Sequence, residues 1–197
     1  IAGIEEVKRK FFGTLYNTYS FFSLYANIDG FNYSEDEIPV SKRTELDRWI
    51  LSELNSLIKE VDDAYSNYEP TRAGRAIQYF VDEHLSNWYV RLSRRRFWTS
   101  EKIISSDTQA AYQTLSYVLS EFSKIFAPYA PFIADHIYQN LTNKVPGEKE
   151  SVHLCLQPKA ENRFIANELE KKFEAEEKVE GQIFNQVKGG FTVDLDG

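Results

Sequence analysis

The most concentrated positive charge in the sequence is a group of arginines followed at once by two aromatic residues. The residues are Arg91, Arg94, Arg95, Arg96, Phe97 and Trp98. Guanidinium groups match the geometry of phosphates, and an aromatic ring can stack on an unpaired base of single-stranded RNA. The arginines therefore predict phosphate binding, and Trp98 predicts a stacking contact. The alternative is a solvated helix end, where the helix dipole also favours cations.

Two more arginines, Arg72 and Arg75, lie at the other end of the same predicted helix. We include both among the candidate RNA contacts, although arginines so placed are more often simple surface. The distribution of positive charge distinguishes two classes of function. A continuous basic stripe joining the two ends of the helix would favour RNA, whereas an apolar patch ringed by polar residues would favour a protein partner.

The overall charge of the chain is acidic. Its 197 residues carry a formal net charge of -7, and the sequence pI is about 5.1. This argues against nucleic-acid binding by the surface as a whole, so any RNA contact has to be local. Hydrophobic residues make up 42% of the chain and aromatic residues 15%, which is enough apolar material for a folded core.

No catalytic residue and no metal site is predicted. The histidines, His84, His136 and His153, have no carboxylate or second cysteine at metal-ligand spacing. His84 belongs to an apolar helical stripe, which is typical of a core or boundary histidine. Cys155 is the single cysteine, cannot form an internal disulfide, and is typical of a small core residue. No phosphate-binding glycine loop follows a strand, so nothing in the sequence supports catalysis by this chain alone.

The sequence contains no candidate membrane segment. No stretch approaches the roughly 18 to 20 consecutive apolar residues that a span requires, and the N-terminus lacks the pattern of a signal peptide. Together with the single cysteine, this predicts a cytoplasmic protein with no membrane partner.

Apolar residues at helical spacing predict five helices. The predicted ranges are 4–27, about 45–67, 70 to about 96, a fourth helix that ends at 126 and has candidate caps at 105, 106 and 107, and 131–141. Residues 44–47 resemble a capping box, and Pro70 suits a first helical turn. In the third helix the apolar stripe includes Trp88 and Leu92. Such helices bury one another's apolar faces, so the predicted fold class is an all-α antiparallel helix bundle.

The sequence changes character after the fifth helix. A loop with a short extended piece at 152–154 is predicted first, and residues 161–177 are charged and predicted to be helical. From Val179 apolar and polar residues alternate around a turn at 188–190, which predicts a β-hairpin. The predicted divisions are a helical bundle at 1–165, a charged linker or helix at 166–178 and a hairpin at 179–197.

Several strings resemble the helical anticodon-binding domain of the class I isoleucyl-tRNA synthetases. They lie at 16–22, 25–31, 46–52, 68–73, 80–82, 85–91, 94–98, 127–134 and 151–154. The Asn-Trp-Tyr-Val-Arg string at 87–91 and the Ala-Pro-Phe string at 130–132 also have counterparts in the valyl and leucyl enzymes. The combination resembles the isoleucyl enzymes specifically.

The resemblance implies a module that binds the anticodon stem-loop of isoleucine tRNA in protein biosynthesis. In that family a separate nucleotide-binding-fold domain activates isoleucine with ATP, and an inserted domain edits valine. The HIGH-type and KMSKS-type motifs of adenylation have no counterpart here. ATP and Mg²⁺ are thus implied only for a full-length enzyme, and no cofactor is implied for this chain. The implied partners are the tRNA and the catalytic domain of the same enzyme.

Two further expectations accompany this resemblance. The alternative to RNA binding is a non-catalytic helical scaffold that binds a protein partner or the synthetase body through its exposed aromatic surface.

The C-terminal tail resembles a different family. Residues 179–183 and 187–197 resemble the opening strands of the OB-fold repeat in the large RNA-binding protein of the small ribosomal subunit. We therefore predict a junction between about 166 and 178, and weak amide-exchange protection beyond 178 because two strands alone are marginal in water.

Overall fold

A computed structural model describes most of the helical region and the backbone of two short strands. The described residues are 2–31, 36–98, 104–143, 145, 147–161 and 164, with the backbone of 181–187 and 190–195. The chain divides into two compact units, residues 1–165 and 166–197. The predicted charged helix at 161–177 and the predicted turn at 188–190 lie largely outside the described residues.

The described part of the first unit is an all-α bundle, as predicted. Helix α1 consists of Ala2–Val7, Lys8–Phe12 and Gly13–Asp29; α2 is Glu45–Ser66; α3 consists of Pro70–Tyr79, Phe80–Val90 and Arg91–Phe97; α4 is Ser106–Phe126; and α5 is Pro131–Thr142. The middle segments of α1 and α3 have the wider hydrogen bonding of a π-helix. Short connections join α2 to α3 and α4 to α5, which favours antiparallel neighbours.

Local signals in the sequence account for most helix ends. Thr44 Oγ1 accepts a hydrogen bond from the backbone N–H of Asp47 at 3.3 Å, and Ser105 caps α4 by accepting from the N–H of Thr108 at 3.1 Å. Pro70 occupies the first turn of α3, where its missing N–H costs no helical bond. Gly30 ends α1 with a φ of 67°, a left-handed conformation that glycine adopts without a Cβ penalty.

The core combines aliphatic residues from all five helices with large aromatic side chains, most of them from α1, α3 and α4. Its largest fully buried side chains include Tyr89, Tyr112, Phe22, Phe80 and Phe122. The rings of Phe80 and Phe122 stack with centroids 6.1 Å apart and an interplanar angle of 16°, which joins α3 to α4. The bundle therefore holds α3 along one side against both α2 and α4.

Two expectations about local structure are wrong. Val152–Leu154 is a short 3₁₀ turn and not an extended piece, because Ser151 Oγ accepts from the N–H of His153 and Asp135 accepts from the N–H of Val152. Trp88 and Leu92 are more than half exposed and do not belong to the buried stripe of α3. Trp88 lies within the π-type segment and Leu92 just after it, and this segment has a longer period than 3.6, so a stripe drawn at the ordinary period does not follow one face.

The described backbone of the second unit is a two-stranded antiparallel hairpin. Strand β1, Gly181–Val187, pairs with β2, Gly190–Leu195, and Val187 lies opposite Gly190. A β-bulge lies between Ile183 and Asn185. The hairpin thus agrees with the alternating sequence pattern.

None of the helices in the described ranges is both long enough and apolar enough to cross a membrane.

Candidate nucleic-acid interface

Three of the predicted arginines are exposed on one side of the last turns of α3. Arg91, Arg94 and Arg95 are three and four positions apart, so they share a helical face, while Ser93 and Phe97 are buried on the opposite one. Within the described part of the chain, none of the three side chains forms an ion pair or hydrogen bond. Their guanidinium groups are therefore available to an external anion.

Trp98 directly follows this face and terminates α3. Its side chain is more than half exposed, whereas the preceding Phe97 is buried. The Phe97 ring makes edge contacts with Tyr112 at 4.9 Å and with Phe21 at 5.3 Å between centroids. These contacts anchor the helix end, so the exposed Trp98 extends from a fixed point.

Arg96 has a different environment from its neighbours, because its guanidinium binds a buried carboxylate. Its Nη1 donates to Asp47 Oδ1 at 2.8 Å and its Nη2 to Asp47 Oδ2 at 2.7 Å, and the Asp47 side chain is fully buried. Tyr89 Oη donates to Oδ1 of the same carboxylate at 2.6 Å, and Thr44 Oγ1 to its Oδ2 at 2.8 Å. The first turn of α2 is thus tied to the end of α3.

The start of α4 completes this attachment. Arg96 Nε donates to Asp107 Oδ2 at 2.9 Å, and its Nη2 donates to the Asp107 carbonyl at 3.0 Å. Thr108 Oγ1 in turn donates to the carbonyl oxygen of Arg96 at 3.0 Å. The arginine face, which consists of Arg91, Arg94 and Arg95, therefore lies at a helix end that hydrogen bonds to α2 and α4 fix in position.

The hydrogen bonds of this network keep both the Asp47 carboxylate and the Arg96 guanidinium ionised. Burial of the Asp47 carboxyl opposes ionisation, but hydrogen bonds from Arg96 and Tyr89 outweigh it and lower the pKa of Asp47 below its ordinary value. Burial opposes the charge of Arg96 as well, yet its bonds to Asp47 and Asp107 raise its pKa. Burial, together with the Asp47 charge, also raises the pKa of Tyr89. Asp47 and Arg96 are therefore an ionised pair.

At the other end of α3, the two candidate arginines differ from each other. Arg72 faces three carboxylates, with Nη1 at 2.8 Å from Asp63 Oδ2 and 3.1 Å from Glu69 Oε2, and Nε at 3.7 Å from Glu60 Oε1. Arg75 is exposed and has no such partner in the described ranges. Both line a shallow open depression of about 650 Å³. Only Arg75 offers unneutralised charge there.

The described residues contain no continuous basic stripe along α3. Between Arg75 and Arg91 the exposed positions are Gln78, Tyr79, Asn87 and Trp88. The criterion of a continuous stripe is therefore not met. The positive charge of α3 lies in two separate groups, and only the larger one, at the end of the helix, favours RNA as a local contact.

Two apolar side chains near the arginine group lie on the surface, although the sequence pattern predicts both in the buried stripe of α3. Trp88 and Leu92 are more than half exposed on α3, and Trp49 of α2 is partly buried beside them. The Trp49 and Trp88 rings lie 6.2 Å apart at an angle of 52°. The spacing of Trp88 to Arg91 and Arg95, three and seven positions, is the signal that could have placed it on the arginine face.

The histidines form no metal site in the described part of the chain, where no group of three metal-ligating side chains occurs. His84 is partly buried, and its Nδ1 lies 3.1 Å from Glu53 Oε2. Its ring makes edge contacts with Trp49 and Tyr79. These contacts agree with the expected boundary histidine, and its polar partner is Glu53.

Comparison with known proteins assigns the chain to a family. The family model described as the anticodon-binding domain of tRNA ligase matches residues 47–194. The chain belongs to that family. An anticodon-binding domain of this kind implies binding to tRNA, which agrees with the free arginines on α3.

The curated relatives of this anticodon-binding domain include isoleucine–tRNA ligases. The protein from Porphyromonas gingivalis is 56% identical over 181 residues, that from Cytophaga hutchinsonii 54% over 183, and that from Bacteroides thetaiotaomicron 53% over 184. These matches cover 92–93% of this chain but 15–16% of the relatives. The chain thus corresponds to about a sixth of their length.

The comparisons also bear on the C-terminal tail. The range that the family model matches extends to residue 194 and includes the stretch whose sequence resembles an OB-fold repeat. None of the comparisons supports a junction between 166 and 178, which stays a prediction.

Proposed function

We propose that this anticodon-binding domain binds the anticodon stem-loop of isoleucine tRNA on behalf of an isoleucine–tRNA ligase. One observation carries the proposal: Arg91, Arg94 and Arg95 are exposed together and unpaired within the described residues, although the chain as a whole is acidic. Identities above 50% with isoleucine–tRNA ligases support the choice of tRNA. The binding unit lies within residues 1–165.

The proposed contacts have distinct roles. Arg91, Arg94 and Arg95 bind phosphates, and Trp98 stacks on an unpaired base. Arg96 holds the end of α3 through Asp47 and Asp107, so its role is positioning. Outside this group, Arg75 is a peripheral phosphate contact, and Arg72 contributes least because three carboxylates neutralise it.

In the whole ligase we propose that this domain works beside a catalytic domain that uses ATP and Mg²⁺, in the cytoplasm. The domain itself supplies recognition. It has no proposed catalytic residue and no proposed cofactor.

The proposal is tested by measuring the affinity of the chain for an isoleucine tRNA transcript over a series of salt concentrations. We expect the R94A/R95A variant to bind more weakly, because two phosphate contacts are lost. Each lost contact should reduce the slope of log affinity against log salt by roughly 0.7 to 0.9. A second transcript with a changed anticodon shows whether the domain itself reads the anticodon.

The matched control removes two cations from α1. Lys8 and Arg9 are exposed, so the K8A/R9A variant has the same net charge as R94A/R95A. It should retain the affinity and salt slope of the unchanged chain. Equal losses in both variants would mean that binding follows net charge alone, and no binding at low salt would refute the proposal.

A second candidate function, a scaffold that docks on the body of the ligase, is favoured by the outer face of α1. Tyr16, Leu24 and Ile28 lie on one side of this helix and are each more than half exposed. Apolar side chains repeated along one face are typical of a contact with another protein surface.

The L24K/I28K variant tests this docking role. In a full-length ligase, L24K/I28K should lower aminoacylation, while the same change in this chain leaves tRNA affinity unaltered. Unchanged aminoacylation would exclude the docking role.

A further inference from the structure

A small aromatic surface lies beside the arginine face of α3. We call it the Trp88 platform, and it consists of Trp88, Leu92 and the partly buried Trp49. Trp88 and Leu92 are four positions apart on one helical face, and each is more than half exposed. Two large apolar side chains exposed side by side form a patch, which is more typical of a binding surface than a single exposed residue would be.

The ring of Trp88 lies beside the ring of Trp49, which has further contacts of its own. The Trp49 ring lies 6.2 Å from it, and His84 makes an edge contact with Trp49 at 5.4 Å. His84 is in turn fixed by Glu53, whose Oε2 lies 3.1 Å from its Nδ1. A ring that is already fixed loses little rotational freedom when a ligand stacks on it.

The charged residues beside the platform indicate which class of ligand binds there. Arg91 and Arg95 lie three and seven positions beyond Trp88 on the same side of α3, and neither has a described acidic partner. In a chain of net charge -7, two free guanidinium groups beside an aromatic surface complement an anionic ligand. A ligand that combines phosphates with flat rings is an unpaired stretch of nucleic acid.

The length of the surface agrees with such a stretch. Trp98 lies ten positions after Trp88, which corresponds to about 15 Å along a helix at 1.5 Å per residue. At about 3.4 Å per stacked nucleotide, this distance spans roughly four nucleotides. A duplex cannot offer its bases to both rings, because its bases are already stacked in pairs.

We propose that the Trp88 platform is a second base-stacking site, so that α3 holds unpaired nucleotides of the anticodon loop at Trp88 and at Trp98. Arg91, Arg94 and Arg95 bind the phosphates between them. This inference rests on the proposed function above and specifies its ligand as the loop and not the stem.

The test compares Trp88→Ala with Trp88→Phe and with Phe132→Ala, a control at a highly exposed aromatic residue on α5. The probes are the anticodon stem-loop of isoleucine tRNA and a duplex of its stem without the loop. We expect W88A to bind the stem-loop roughly 5- to 150-fold more weakly, the loss of one stacked base. W88F should recover most of that affinity, and F132A should change nothing.

Two readouts separate stacking from charge and from misfolding. W88A should leave the salt slope unchanged, because it removes no phosphate contact, and it should leave duplex binding and the helical circular dichroism signal unchanged. Equal stem-loop affinities of W88A and F132A would overturn the proposal, as would equal losses by W88A on stem-loop and duplex. If R94A/R95A still weakens binding while W88A does not, only the platform is refuted. If neither variant weakens binding, the proposed function fails as well.

Discussion

Removing the Arg96 side chain tests the link between α2 and α3 that holds the arginine face in place. Arg96 makes two hydrogen bonds to the fully buried Asp47 carboxylate, and its own side chain is only 14% exposed. Arg96→Ala leaves that carboxylate without a cation. Arg95→Ala is the matched control, because it removes the same atoms from an exposed neighbour with no described partner.

R96A and R95A should lower the free energy of unfolding by amounts that differ several-fold. Loss of one partner of a buried ion pair costs about 3–5 kcal/mol of unfolding free energy. Tyr89 and Thr44 still donate to Asp47, so we expect R96A to lie near the lower limit, about 3 kcal/mol. R95A should change the unfolding free energy by less than about 0.5 kcal/mol. Urea unfolding followed by circular dichroism measures both values.

The pH dependence gives an independent check on the cause. In the unchanged chain the folded-state pKa of Asp47 is lowered, so the pair stabilises the fold above the unfolded value of roughly 3.9 and loses this contribution as the pH falls through the folded value. Without Arg96, burial dominates and raises the pKa of Asp47, so protonation relieves the destabilisation. The difference between R96A and the unchanged chain should therefore narrow from pH 7 to pH 4.

Either of two results would refute this reasoning. The first is an R96A chain as stable as R95A at pH 7, which would mean that the buried pair contributes nothing. The second is a large difference that stays constant with pH, which would assign the loss to packing and not to an unpaired carboxylate.

Three further changes test the fold. Ser105→Ala removes the cap of α4 and should lower the unfolding free energy by about 1 kcal/mol in urea. Tyr68 has a φ of 58° and is almost fully exposed, so Tyr68→Gly should raise the unfolding free energy by about 0.5–1 kcal/mol, and a lower melting temperature would contradict that. Leu119→Ala in the fully buried core should cost about 2–5 kcal/mol, whereas Leu24→Ala on an exposed face should cost less than about 0.5 kcal/mol; similar losses in thermal unfolding would contradict the assigned burial.

The helices could be predicted from the sequence because their end signals are local. The cap residue Thr44 and the first-turn Pro70 act within one turn of chain, and α2 and α3 begin where these residues place them. The exposure of Trp88 does not follow from an apolar stripe drawn at the ordinary period, because Trp88 lies within a segment of π-type hydrogen bonding whose longer period depends on packing against other helices. Its spacing to Arg91 and Arg95 is the one local signal of its face.

The sequence predicts which residues form the candidate site, but not the role of each arginine in it. Four arginines in a short stretch identify a basic helix end, yet only the fold shows that Arg96 differs from Arg94 and Arg95. Its partner Asp47 lies 49 positions away, so no local pattern connects the two. The pairing of Arg72 with Asp63 also required the packing of α2 against α3, because the two residues belong to different helices.

Footprinting of isoleucine tRNA in the presence of this chain tests the central claim most directly. If α3 binds the anticodon arm, backbone protection should be confined to the anticodon stem-loop, disappear with R94A/R95A and persist with K8A/R9A. Protection of the acceptor arm, or protection of the anticodon arm that R94A/R95A leaves intact, would contradict the account.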